Sequence, residues 1–231
     1  MVWEAHISSS SSNYTESTSD HSLFIENTAT SFTILLVYVD NVIIVGDSLS
    51  EFQSINVIMH SSFKIKDLGQ LKYFLGLEVA HSSQGISLCH RKYCIDLLTD
   101  TGYLACKPVF TPFDPSSKLH TGSSAPYADV PSFRRLIGML LYLNNTRPYI
   151  TFATQQLSQF LTSPTKKHLT AATRILRYLK KCHGQGLMFP RDSFLYLSGY
   201  SDADWAGYLD SRRSISGQWF FSWKILDLLE D

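Results

Sequence analysis

Apolar positions along this chain repeat with two periods, and the changes of period mark its elements. The first strong signal is FTILLVYVDNVIIVG, two β-branched and aromatic runs over residues 32–45 on either side of Asp40 and Asn41. Asn and Asp tolerate the positive φ that tight turns require, so the stretch predicts a β-hairpin turning at Asp40 and Asn41. Gly46, Asp47 and Ser48 close it, and Ser50 is placed to cap a helix over 51–59 with Phe52, Ile55 and Met59 on one face. In FKIKDLGQLKYFLGLEVAHSSQGISLCHR, Gly69, Gly76 and Gly85 separate short strand-like runs, most simply a small antiparallel meander. A short helix is expected over 93–98. Residues 107–132 carry Pro108, Pro112, Pro115, Pro126 and Pro131 among Ser and Thr, and predict a loose, irregular surface connection.

The next block has the helical period. Phe133, Leu136, Ile137, Leu140 and Leu141 form an amphipathic stripe. Pro148 interrupts it, and a second helix is expected over 151–161. Ser163 and Pro164 then offer an N-cap and a first-turn proline for a third helix through Lys180, with Leu169, Ala172, Leu176 and Leu179 inward. Gly184 and Gly186 stop it, and from Leu187 the strand period returns in LYLSGYSDADWAG and SISGQWFFSW. The serine run at 8–12 and the polar residues up to Asp20 read as a disordered N-terminal stretch.

Composition sets limits. Of 231 residues, 44% are hydrophobic and 17% charged, which fits a globular chain with a core. Lys and Arg number 20 against 20 Asp and Glu, so no global field advertises a nucleic-acid partner. Cys89, Cys94, Cys106 and Cys182 form no CxxC pair and read as free thiols of a reducing, intracellular compartment. No apolar run reaches the roughly 20 residues that cross a bilayer, and the N-terminus lacks the features of a secretory signal. No membrane partner is expected.

Several residues are candidates for chemistry. Asp40 at a hairpin turn would be held rigidly by its apolar flanks, which suits a ligand of the divalent metals that polymerases use. The tetrapeptide YVDN alone favours the plainer reading of an ordinary turn. Asp202 and Asp204 in GYSDADWAG lie on one side of a strand, either sharing a cation or standing as solvated acids at a strand end. Lys167, Arg174, Arg177 and Lys181 fall on one helix face, with Lys166 and Lys180 beside it; phosphate contact and a solvated face are both open readings. Cys89, His90 and Cys94 lack the partner pair a metal site needs. His168 and His183 have no neighbour that would make them bases, and Phe220, Phe221 and Trp223 read as sheet core.

Taken in order, these segments carry a resemblance. VYVDNVIIVG resembles the YVDD polymerase motif of Ty1/copia-type retrotransposon reverse transcriptases. FKIKDLGQLKYFLGLEV is similar to the family's following block, with Phe74, Leu75 and Gly76 at its primer-grip hairpin. KPVFTP, FRRLIGMLLYLNNTRPYITFATQQLSQFL, AATRILRYLK and GYSDADWAG…SRRSISG follow in the family's order, and several long motifs in one order are far more specific than any alone. The resemblance implies RNA-directed DNA synthesis with Mg²⁺, an RNA/DNA template-primer and dNTPs. It makes Asp40 a polymerase metal ligand and puts Asp202 in the first catalytic position of an RNase H domain. It sets Lys167, Arg174, Arg177 and Lys181 beside the duplex. Asn41 departs from the pattern, because the family has a second aspartate there; a neutral amide holds a hard cation less strongly. The family's other polymerase aspartate lies upstream of this motif and its further RNase H carboxylates lie downstream of Asp202. The chain shows matching context for neither, so both metal sites, at Asp40 and at Asp202, are expected to be incomplete.

The expected fold is α+β. Residues 1–20 form a disordered start, 21–106 a partial palm with the YVDN hairpin and the grip-like meander, and 107–132 an irregular connection. Residues 133–186 form a helical thumb and connection region, and 187–231 an incomplete RNase H-like β-meander whose aromatics are partly exposed. The expected function is that of a reverse transcriptase fragment that does not polymerise by itself. The alternative is a non-catalytic nucleic-acid-binding module co-opted from such an element.

Overall fold

The computed structural model of the chain describes residues 14–39, 41–63, 65–192, 197–221 and 226–227. Helices combine with antiparallel sheets in two compact units, Met1–Leu71 and Lys72–Asp231. The division falls inside the stretch 21–106, because the meander shares its sheet with strands from the far end of the chain.

In the first unit, strands β1 (Thr15–Glu16), β2 (Leu23–Asn27), β3 (Phe32–Tyr38) and β4 (Asn41–Gly46) pair antiparallel in sequence order, followed by helix α1 (Leu49–Phe63). Side chains alternate across the sheet. Phe24, Leu35 and Ile44 form one cross-strand row and Val37 faces Val42, and these pack with Ile55 and Met59 of α1. The helix-facing side also carries a polar row, Glu26 opposite Thr33, both buried. The Tyr14 phenol belongs to this patch: burial, then the carboxylates of Glu26 and Glu51, hold its pKa far above the usual range. Strand β2 was not visible in the hydrophobic pattern, because a carboxylate occupies one of its two buried positions, Phe24 and Glu26.

The second unit is built on strands β5 (Tyr73–Phe74), β6 (Leu77–Ser82) and β7 (Gly85–Cys89), extended by β8 (Gly186–Pro190) and β11 (Leu226–Asp227) in the order β11-β8-β7-β6-β5. The pattern at 187–190 reads as the start of the C-terminal β region, yet β8 is zipped to β7 from Gly85↔Pro190 to Cys89↔Gly186. Two glycines allow that approach: a Cβ on Gly186 would lie 2.2 Å from the Leu88 carbonyl, and one on Gly85 2.1 Å from that of Phe189.

Helices α2 (Arg91–Asp100), α3 (Val130–Leu143), α4 (Thr151–Ser158, entered through a 3₁₀ turn at Pro148–Ile150) and α5 (Lys166–Lys181) enclose the main core. The stripe Phe133, Leu136, Ile137 and Leu140 is buried against Cys94, Leu98, Leu157, Ile175, Leu176 and Leu179. Helix α2 extends beyond both ends of the expected 93–98, since Glu78 on β6 accepts from the Lys92 amide at 2.6 Å and so caps its first turn. The N-cap of α5 is Thr165 rather than Ser163. Its hydroxyl accepts from the His168 amide, while His168 Nδ1 accepts from the Thr165 amide at 3.1 Å, a capping box closed by an imidazole. Strands β9 (Ser198–Asp204) and β10 (Ile215–Phe221) form a separate two-stranded sheet.

A chain ending at residue 192 should therefore keep its helical circular dichroism and a cooperative melt. One ending at 185 should lose much of its stability, because β7 then loses its ladder to β8 and becomes an open edge. Equal urea midpoints for the two would show that β8 adds nothing to this core.

Candidate nucleic-acid and metal-site residues

The β3–β4 ladder ends with Tyr38 opposite Asn41, so the chain turns at Val39 and Asn41 opens β4 instead of sharing the turn. Asp40 lies outside the described residues. Val39 has a φ of 50° and is 77% exposed. A β-branched residue in the left-handed region costs roughly 1–2 kcal/mol, and nothing buried repays it locally. By register, Tyr38 and Asn41 share the sheet face with Leu36 and Ile43, opposite the face that holds Phe24 and Leu35.

Phe74 ends β5 opposite Leu77, and Leu75 and Gly76 form the turn between β5 and β6. Leu75 and Gly76 have φ of 47° and 80°. The Tyr142 hydroxyl, at the end of α3, donates to the Leu75 carbonyl, and a Cβ on Gly76 would lie 2.7 Å from that oxygen. Only glycine fits both the conformation and the space. Tyr142 is itself braced, with ring centroids 4.7 Å from His90 and 4.8 Å from Tyr93. His90 Nδ1 lies 2.7 Å from the Thr146 hydroxyl in a buried pair. Burial, then the Arg147 guanidinium, hold the His90 pKa below its ordinary value. The turn's backbone is thus strapped to the helical core while Leu75 stays half exposed. The brace residues carried no signal of their own in the sequence; Tyr142 sits just beyond the apolar stripe of its helix.

The basic face of α5 is turned to the connection. Lys167 Nζ donates to the Lys118 carbonyl at 2.9 Å, Arg174 donates to the Thr111 carbonyl and hydroxyl at 3.1 and 2.8 Å, and Arg177 Nε donates to the Lys107 carbonyl at 2.9 Å. Lys181 Nζ stands 4.1 Å from the centroid of the Phe110 ring. Leu119 is buried in the core and Phe113 packs edge-on against Phe152. The connection has no regular helix or strand up to Asp129, its last three residues opening α3, but it is anchored along its length, which corrects the expectation that it is loose: cations offered to solvent by the sequence pattern are satisfied by its carbonyls.

Asp202 and Asp204 lie exposed on β9, opposite Gly217 and Ile215, and Asp202 Oδ1 accepts from the Ala203 amide at 2.9 Å. Trp219 and Phe220 are 45% and 67% exposed, so Phe220 is not the sheet core expected of it; the side chains of Phe221 and Trp223 lie outside the described residues. Among the described residues no three His, Cys, Asp or Glu side chains come together as a metal-ligand group. The four cysteines are free thiols, and burial pushes Cys94 up to about 11.

These local features meet a wider likeness. The family described as "Reverse transcriptase (RNA-dependent DNA polymerase)" matches residues 1–115. The retrovirus-related Pol polyprotein from transposon RE1 of Arabidopsis thaliana is 40% identical over 204 residues, covering 88% of this chain and 14% of the polyprotein. That from transposon TNT 1-94 of Nicotiana tabacum is 35% identical over 199 residues, covering 82% of this chain and 15% of the polyprotein. The chain belongs to the Ty1/copia-type reverse transcriptase family. It also matches an uncharacterized mitochondrial protein of Arabidopsis thaliana, 36% identical over 183 residues, 79% of this chain and 76% of that one. No solved structure matches it. The chain thus spans about one seventh of the Pol polyproteins of RE1 and TNT 1-94. Reverse transcriptases bind a nucleic-acid template-primer and use Mg²⁺, and among the described residues no helix is long and apolar enough to cross a membrane.

Two outcomes follow from this geometry. Val39→Asn, which keeps the turn and accepts a positive φ, should raise stability by about 1 kcal/mol in urea denaturation; a loss would show that Val39 makes a contact that outweighs its strain. The buried rings of His90 and His168 both titrate below their ordinary 6.5, burial being the first cause of each. The unfolded chain therefore takes up protons first as pH falls, so their contribution is complete above that value and is lost on acidification through it. The urea midpoint should drop between about pH 7.5 and about pH 5.5, and His168→Gln, which can still close the capping box, should flatten that drop.

Proposed function

We propose that this chain is the hairpin and thumb portion of a retrotransposon reverse transcriptase, able to hold a template-primer but not to extend it unaided. The observation that carries the reading is the Leu75–Gly76 turn, whose exposed backbone is locked by Tyr142 to a buried aromatic and histidine brace. A primer terminus must be held within a fraction of an ångström for in-line attack, and a turn pinned to a core provides such a rigid support. The strained tip at Val39 fits the same reading, since backbone strain maintained at an exposed turn is found where position matters more than stability.

In this assignment Met1–Leu71 is the part of the palm that presents Asp40, β5 and β6 form the primer grip, α3 to α5 form the thumb and connection, and the β9–β10 hairpin opens an RNase H-like region with Asp202 in the first catalytic position. The product acts inside the cell on RNA/DNA template-primer. Asn41 limits the chemistry, because its amide contributes no charge beside Asp40 and a divalent cation bridging dNTP phosphates needs that charge. Arg174 Nη1 and the Nη groups of Arg177, which the connection does not use among the described residues, favour a second reading, retention of nucleic-acid binding without chemistry.

Purified protein should extend no primer on an RNA template with Mg²⁺ or Mn²⁺ beyond an Asp40→Ala control. Filter binding of the same template-primer should nonetheless weaken steeply with salt, with a slope of about −0.9 in log K per phosphate contacted on duplex DNA. Extension above the control removes the inactive reading, and salt-independent or undetectable binding removes the template-primer reading.

A further inference from the structure

The surface where the connection crosses α5 holds an aromatic ring that the core does not use. Phe110 is 80% exposed, and Lys181 Nζ stands over its ring at 4.1 Å from the centroid. The backbone on both sides is fixed: the Val109 amide donates to the Arg177 carbonyl at 3.3 Å, Arg177 Nε donates to the Lys107 carbonyl, and Arg174 grips Thr111 through two hydrogen bonds. Phe110 is therefore a ring on a clamped stretch of backbone, flanked by three cations of one helix face. Arg177 is held through Nε, and among the described residues neither its Nη groups nor Arg174 Nη1 is used in a hydrogen bond. A guanidinium oriented in advance loses little entropy on taking a phosphate. The Asp114 carboxylate accepts from the amide and hydroxyl of Ser116, which hold its pKa below the ordinary value with a smaller contribution from the Arg174 cation.

We propose that Phe110, Arg177 and Lys181 form a site for an unpaired nucleotide of a single-stranded nucleic acid, with the base stacked on Phe110 and its phosphates on Arg177 and Arg174. This rests on the nucleic-acid reading above and adds to it a place for a strand outside the duplex. The chemistry selects the occupant. A phosphodiester chain offers one negative charge and one π face per residue, matching a ring interleaved with cations, whereas a duplex hides its base faces inside its own stack. Lys181 completes the match by polarising the ring from the other side, as cations do over aromatic faces.

The test is fluorescence anisotropy with the full chain and three labelled probes: an oligo-dT and an oligo-U of about 12 nucleotides, and a blunt DNA duplex, at low salt. Phe110→Ala should weaken both single strands about 5- to 100-fold while leaving the duplex nearly unchanged, as expected for loss of one base–aromatic stack. Its melting temperature should match the parent, because the ring is outside the core. Phe110→Trp should keep the affinity and add an emission component quenched by the strand. Arg177→Ala should lower the salt slope for single strands by about one phosphate's worth. Single-strand affinity unchanged in Phe110→Ala, or strand and duplex weakened alike, overturns this site and leaves the template-primer reading standing. A parent chain that binds none of the three probes overturns both.

Discussion

A buried guanidinium with no carboxylate partner among the described residues is the constraint on which the second unit depends. Arg147 is wholly inaccessible, and among the described residues its hydrogen bonds go to the carbonyls of Cys182 and His183, where α5 ends. Burying a lone cation costs several kcal/mol, and here the compensation is the negative end of a long helix, whose last carbonyls accept from the guanidinium. The arrangement works only if the α3–α4 turn and the end of α5 meet at one spacing. The consequences run in two directions. Past α5 the chain leaves at a fixed place, so Gly186 arrives against Leu88 and β8 joins β7 in register. Beside Arg147, Thr146 pairs with His90, His90 packs on Tyr142, and Tyr142 holds the Leu75 carbonyl. The exposed turn that makes the best candidate for gripping a primer is thus joined, through Tyr142 and His90, to Thr146, the residue beside the buried Arg147.

The cations of α5 illustrate a choice that composition makes acute. With positive and negative side chains equal in number, the protein has no general surplus of charge to attract a polyanion. Its cations instead bond first to the backbone of the 107–118 stretch, whose prolines leave carbonyls without regular partners. A guanidinium used along one edge still presents the other, so structural tethering and phosphate binding are compatible in Arg174 and Arg177, but much less so in Lys167, whose single ammonium is already committed to a carbonyl. A charge stripe read on a helical wheel does not distinguish these cases, because the deciding acceptors lie more than 40 residues away.

What the sequence made readable was what period and composition encode. The hairpin strands, the meander and the stripe of α3 appear where alternation and helical spacing put them, since each buries one continuous apolar face. What it concealed has physical reasons too. Strand β2 buries a glutamate, which breaks the apolar pattern. Thr165 caps α5 through a histidine, a residue that the usual capping rule does not anticipate. The placement of β8 rests on two glycines that permit close backbone approach, and a glycine in sequence reads first as a break. For the candidate site, the motif order pointed to the region around Phe74 and Gly76, but the bracing by Tyr142, His90 and Thr146 is long-range, and no local rule reaches it.

The separation between fold and chemistry at the first hairpin has a further consequence. The strands that position residues 38–41 are held by rows of aliphatic side chains, Phe24–Leu35–Ile44 and Val37–Val42, and by α1 behind them. Those rows and the helix face behind them are apolar. Two adjacent aspartates at a tight turn repel each other in the absence of a cation, so replacing one with asparagine removes a repulsion and keeps a residue suited to the position. Folding therefore does not select against Asn41; only catalysis does. A chain of this family freed from the need to polymerise would be expected to lose a carboxylate at such a tip before it lost the hairpin or the brace at Tyr142, because the aliphatic rows and the Tyr142 hydrogen bond hold those parts together.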